Sequence, residues 1–164
     1  MPLWLRISAT EWMEHAAEGS WDLEQSIQLA KLLPGLGIDV LDVSSSGNHP
    51  AQRIEMHNHY QTDLAGQIHK AVTDAGLSLG IAAVGRITEG EMARSLVQDG
   101  KNHSKGTIEV EGEAGQVAKA DLVLAARQFL RDPQFVLRMA HDLNVPVKWP
   151  NQYERAKPKP KAKV

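Results

Sequence analysis

The sequence contains no cysteine, which removes disulfides, thiolate metal sites and cysteine nucleophiles from consideration. Aromatic residues make up only 5%. The four tryptophans, Trp4, Trp12, Trp21 and Trp149, read as packing residues rather than as a stacking platform. No apolar run approaches the ~18–20 residues of a membrane span. The start, Met1-Pro2-Leu3-Trp4-Leu5-Arg6, is too short and too quickly charged for a secretory signal. The expectation is a soluble cytoplasmic protein with no membrane partner.

What is present suits one domain: 164 residues, 42% hydrophobic and 23% charged. The net charge of −2 conceals an asymmetry. Five basic residues (Arg155, Lys157, Lys159, Lys161 and Lys163) crowd the last ten positions, and every acid precedes them. Residues 1–154 therefore carry thirteen basic against twenty acidic side chains, a net of −7. An acidic body argues against a nucleic-acid groove, which needs basic residues spread over a folded face. The Lys/Pro tail, residues 156–164, reads as a solvated, disordered end.

Four apolar, β-branched runs recur, at residues 3–8, 38–43, 79–84 and 122–126. Helical patterns fill the intervals. Leu23, Ile27, Ala30 and Leu33 mark a helix broken by Pro34-Gly35. A second helix is predicted from about Tyr60 to Ala75, closed by Gly76. Thr88 with Glu91 spells a capping box for a third, reaching about Gln98. Asp132-Pro133 supplies a cap and first-turn proline for a last helix, to about Leu143. Strands alternating with helices predict an α/β architecture with parallel strands and right-handed crossovers. Four such units fit either a small open sheet or half of an eight-stranded barrel.

One segment breaks this rhythm. Residues 102–119 are polar and glycine-punctuated, far longer than the ~2–6 residues usual between a helix and the next strand. They read as an insertion: a surface hairpin with one strand at 107–111, or sequence foreign to the mature chain. Glu109, Glu111 and Glu113 alternate there as on an exposed strand face.

Ligands of α/β folds bind at the carboxyl ends of the strands. Here those ends present Arg6-Ile7-Ser8-Ala9, Asp42-Val43-Ser44-Ser45-Ser46-Gly47, Ala83-Val84-Gly85-Arg86 and Ala125-Ala126-Arg127. Gly85 and the Ala126-Arg127 pair follow the last two runs, the place where barrel enzymes build phosphate sites. A glycine lets backbone approach a phosphate, and an arginine offers forked donors to its oxygens. Arg6 is a cation inside an apolar strand, so it must find a partner or a ligand. Ser44-Ser45-Ser46 lacks a nucleophile-elbow context. The histidines of His57-Asn58-His59 are two loop ligands without a third, so no metal site is expected.

Together these residues carry a resemblance. Leu5-Arg6-Ile7-Ser8-Ala9-Thr10-Glu11-Trp12, Asp39-Val40-Leu41-Asp42-Val43-Ser44-Ser45, Tyr60-Gln61 and Ala83-Val84-Gly85-Arg86-Ile87-Thr88 resemble the Old Yellow Enzyme family, as does Asp121-Leu122-Val123-Leu124-Ala125-Ala126-Arg127-Gln128-Phe129-Leu130-Arg131-Asp132-Pro133. The ending Trp149-Pro150-Asn151-Gln152-Tyr153-Glu154-Arg155 is similar to the close of its thermophilic-like branch. The resemblance implies a (βα)4 half of a TIM (β/α)8 barrel over residues 1–155, matching barrel strands 5–8. It implies non-covalent FMN, NADPH as hydride donor and an activated alkene such as an enone as acceptor. By it, Arg6 matches the arginine at the flavin N1/O2 edge, where positive charge stabilises the anionic reduced flavin. Gly85 matches the phosphate-loop glycine, and Ala126 with Arg127 the pair holding the FMN phosphate. Tyr153 and Arg155 match a segment that reaches a neighbouring protomer in some relatives.

The same resemblance assigns the substrate-gripping His/Asn pair, the tyrosine proton donor and the groups at flavin N5 to strands 1–4, which this chain does not match. No catalytic residue is therefore assigned, and His57-Asn58-His59 is not that pair. Three readings follow: a flavin oxidoreductase met as its C-terminal half and weakly active alone; a half-barrel that binds FMN or another phosphate without redox chemistry; or an interaction protein. In each, a second copy or a complementing chain covers the open sheet edges.

Overall fold

The computed structural model describes residues 1–16, 18–98 and 117–158. Four strands, β1 (Trp4–Ser8), β2 (Val40–Ser44), β3 (Gly80–Val84) and β4 (Leu122–Leu124), form one sheet in the order β1-β2-β3-β4. Every neighbouring pair is parallel. The expected α/β half-barrel is the fold observed. Five helices accompany the strands: α1 (Leu23–Leu32), α2 (Thr62–Asp74), α3 (Gly90–Val97), α4 (Arg127–Arg131) and α5 (Phe135–Asp142). Among the described residues no helix is long and apolar enough to cross a membrane. Residues 102–116 of the expected insertion and 159–164 of the expected tail lie outside the described residues.

Alternation along each strand sorts side chains onto two faces. Leu5 and Ile7, Leu41 and Val43, and Ile81 and Ala83 pack with Ala30 of α1 and Ala65, Ile68 and Val72 of α2 in the main core. A second cluster joins Val123 of β4 to Ala93 and Leu96 of α3 and Met139 of α5. The intervening strand positions look away from the helices. Arg6 and Asp42 lie there, opposite one another in register, with Ala82 and Leu122 continuing the row.

Several ends differ from expectation. Pro34 does not stop α1 abruptly: after Leu32 the chain tightens into a 3-10 turn (Leu33–Leu36), which Gly37 closes at φ 80°. The start of α1 is a reciprocal capping box between Asp22 and Gln25. The box expected from Thr88 and Glu91 does not form. α3 starts from Glu89 with no side-chain cap, and the Glu91 carboxylate accepts a hydrogen bond from Arg94 instead. The last helical pattern is two helices. Asp132 ends α4, and its side chain accepts from the Gln134 N–H just ahead of α5. The fourth strand is also shorter than its run, because Ala126 leaves the extended region at φ −117°, ψ −76°.

β4 is keyed to its neighbours by Asp121. Its N–H donates to the Ile81 carbonyl at 2.8 Å, and its carboxylate accepts from the Ile81 N–H at 2.8 Å. Just before it, Lys119 lies over Gly66 and pairs with Asp63 of α2 at 2.7 Å. These contacts set β4 beside β3 at the amino-terminal ends of the two strands.

Candidate functional site

At the other, carboxyl ends of the strands an open cleft of about 1020 Å³ runs from the β2 loop past β3 to α4. Gly85 is part of its lining. Its φ of +126° disfavours any side chain, and a Cβ there would meet the Gln61 side chain at 3.1 Å. Gln61 is itself buried and spans two strand ends. Its Nε2 donates to the Val84 carbonyl (2.9 Å), while Oε1 accepts from the Ser45 N–H (3.1 Å) and the Ser45 hydroxyl (3.0 Å). Gly85 is thus required both by its backbone and by the close approach of Gln61. Arg86 follows in the left-handed region, at φ +54°.

Ala126 and Arg127 form the opposite wall. Gly85, Ala126 and Arg127, expected from sequence to act together, do line one cleft. The electrostatics are cationic. Arg86, Arg94, Arg127 and Arg131 line the cleft with Glu89 and Glu91. Of these, Arg94 is paired, its Nε donating to Glu91 at 2.8 Å. Arg86, Arg127 and Arg131 are exposed and make no ion pair among the described residues.

Arg6 lies elsewhere. It is not part of the cleft wall and bonds Asp42 across the sheet, Nε to Oδ2 at 3.0 Å. Its side chain is 59% exposed and that of Asp42 11%. Burial pushes the Asp42 carboxyl above its ordinary value, and the Arg6 charge pulls it back by less. The other Asp42 oxygen, Oδ1, is buried without a hydrogen-bond partner among the described residues. Arg6 has a partner in its neighbouring strand, but it is the carboxylate and not the cation that is buried. The sequence signal was there: both residues sit mid-strand in consecutive parallel strands.

Other members were not foreseen as site residues. Arg86 belongs to a motif in which only Gly85 is assigned a role, Arg94 belongs to none, and the bridging role of Gln61 depends on distances no spacing rule encodes. His59, assigned to a surface loop, lines the cleft with Asn58. It is oriented locally, its N–H donating to His57 Nδ1 (3.3 Å) and its own Nδ1 lying 3.3 Å from the Thr62 hydroxyl. Among the described residues no group of three or more His, Cys, Asp or Glu side chains gathers to hold a metal ion. Tyr153 and Arg155 stand exposed on a 3-10 turn (Asn151–Ala156). A smaller, apolar cavity of about 330 Å³ lies apart, between α5 and Trp149.

No family model matches the chain. Curated relatives do. An NADH:flavin oxidoreductase of Gibberella zeae is 37% identical over 161 residues, covering 93% of this chain and 34% of the relative. An NADPH dehydrogenase of Halalkalibacterium halodurans is 35% identical over 155 residues, covering 94% and 38%. An NADPH dehydrogenase of Bacillus subtilis is 32% identical over 154 residues, covering 94% and 37%. The chain thus spans only 34% to 38% of the length of the relatives it matches. Fold and cleft define an α/β half-barrel with arginine-lined strand ends. The chain belongs to the Old Yellow Enzyme family of flavin oxidoreductases.

Proposed function

We propose that the cleft binds the phosphate of FMN, and that the chain supplies the phosphate-binding half-barrel of an NAD(P)H-dependent oxidoreductase acting on activated alkenes. The observation that carries this reading is the meeting of Gly85, Ala126 and Arg127 at adjacent strand ends. The local chemistry fits a phosphate ester. At Gly85 no Cβ stands between the backbone and an approaching anion. Arg127 faces the cleft with its forked donors free of any carboxylate among the described residues. The names of the relatives support flavin and NAD(P)H as the reactants.

When bound, FMN would supply hydride chemistry between NAD(P)H and an electron-poor carbon. This chain's own residues bind and tune. Gly85, Ala126 and Arg127 would hold the phosphate, and Arg6 would supply positive charge to the flavin N1/O2 edge. Asp42 fixes that guanidinium on the sheet. No residue of the chain is assigned to grip the alkene or to protonate it, so turnover by the chain alone is expected to be poor. Exposed Trp4 and Leu122 on the face turned from the helices support association with a second copy or complementing chain.

The test is a titration of the purified chain with FMN, followed by NADPH and an enone. Flavin retained through gel filtration with little enone reduction is the expected result. A chain that never takes up flavin contradicts the binding assignment, and rapid NADPH-dependent enone reduction contradicts the division of labour.

A further inference from the structure

We propose that Arg94 is a second phosphate-binding side chain of this cleft, restrained by Glu91, and that it adds donors to a phosphate dianion bound beside Gly85 and Arg127. The proposal rests on the phosphate reading above. Arg94 lies between the motifs that carry the family resemblance, which end at Thr88 and resume at Asp121, and is identified by its geometry alone.

Arg94 stands on α3, the helix directly after the Gly85-Arg86 turn, and lines the same cleft as both. Its side chain is only 12% exposed. A guanidinium carries five N–H donors and no acceptor. One, at Nε, reaches Glu91 Oε2 at 2.8 Å, while Nη1 is buried with no hydrogen-bond partner among the described residues. An unpaired donor on a charged group is costly to bury, so Arg94 is under-satisfied where it rests. Glu91 is in the opposite position: its side chain is 63% exposed and water can replace Arg94. An i,i+3 pair of this kind is a weak tie. A phosphate dianion offers Arg94 several oxygens and more charge than one solvated carboxylate, so exchange from Glu91 to phosphate is favourable. Arg94 already borders the cleft that would hold the phosphate.

The two carboxylates in the lining, Glu89 and Glu91, then act as restraint. Releasing Arg94 from Glu91 should tighten anion binding; a gain carried by Arg94 disappears when Arg94 is removed as well, whereas one due only to loss of the Glu91 charge survives.

The experiment measures inorganic phosphate and FMN binding to the full chain by calorimetry, for wild type, Arg127→Ala, Arg94→Gln, Glu91→Gln and the double variant Glu91→Gln/Arg94→Gln. Circular dichroism checks that each is folded. Arg94→Gln should weaken both ligands roughly tenfold, the worth of one charge-assisted hydrogen bond. Glu91→Gln should tighten both, and the double variant should lose that gain. If Arg94→Gln does not fold, Arg94→Met takes its place in the single and double variants, and a Glu91→Gln gain of the same size with and without Arg94 overturns its role. Weakening in Arg127→Ala, with Arg94→Gln and Glu91→Gln unchanged, overturns the role of Arg94 and leaves the phosphate site standing. Absence of phosphate and FMN binding in wild type overturns both.

Discussion

Arg6 and Asp42 face each other across β1 and β2, in register and 3.0 Å apart, with the cation largely in solvent and the carboxylate buried. The pair is therefore unequal. Losing Arg6 strands a buried charge, whereas losing Asp42 leaves an arginine that water can solvate.

Asp42 makes stability depend on pH. Its folded-state value is raised, so the folded protein holds the proton more tightly than the unfolded chain. The associated stability is complete below the unfolded value of about 4 and is lost as pH rises through the folded value. Asp42→Asn should accordingly melt no lower than wild type near about pH 7, with the difference shrinking towards about pH 4. Arg6→Met should cost about 1–2 kcal/mol at neutral pH, less than the breaking of a fully buried pair because Arg6 is largely exposed. Melting curves at the two pH values check both. An Asp42→Asn protein that is less stable only at the higher pH reverses the sign and contradicts the assignment.

Gly85→Ala should disturb two strand ends at once. The residue must adopt φ +126°, and its new methyl group meets Gln61, which ties Ser45 to Val84. A loss of about 2–3 kcal/mol is expected from strain and displaced hydrogen bonds. Urea denaturation measures it. A variant within a few tenths of wild type would show that Gln61 moves aside freely.

Arg86 occupies the left-handed region without being glycine. Arg86→Asn removes most of that conformational penalty, since asparagine tolerates this region, and should stabilise the protein by up to about 1 kcal/mol. The same change deletes a cleft cation, so phosphate affinity should fall. Stability and affinity moving in opposite directions is the signature; a parallel loss of both assigns Arg86 a packing role instead.

Much of this arrangement was legible in the residues. The four strands announced themselves as β-branched runs, and Gly85, Ala126 and Arg127 could be placed at their ends because parallel α/β sheets put ligand sites there. Helix starts were less legible. Thr88 and Glu91 have the spacing of a capping box, but Arg94 one turn later competes for the same carboxylate and takes it. The last helical pattern splits at Asp132, whose side chain caps the turn at Gln134 rather than a helix starting at Pro133. Gln61, Arg94 and His59 joined the site only through tertiary packing. Asp42 as partner of Arg6 follows once the strands are set in register.

The measurement that bears most directly on the central claim compares FMN with riboflavin, which differ by the phosphate alone, in binding to the intact chain and to Arg127→Ala. The cleft account predicts that FMN binds well above riboflavin in wild type, and that Arg127→Ala removes most of the difference while leaving riboflavin unchanged. Equal binding of FMN and riboflavin, or an FMN preference that survives in Arg127→Ala, would contradict it.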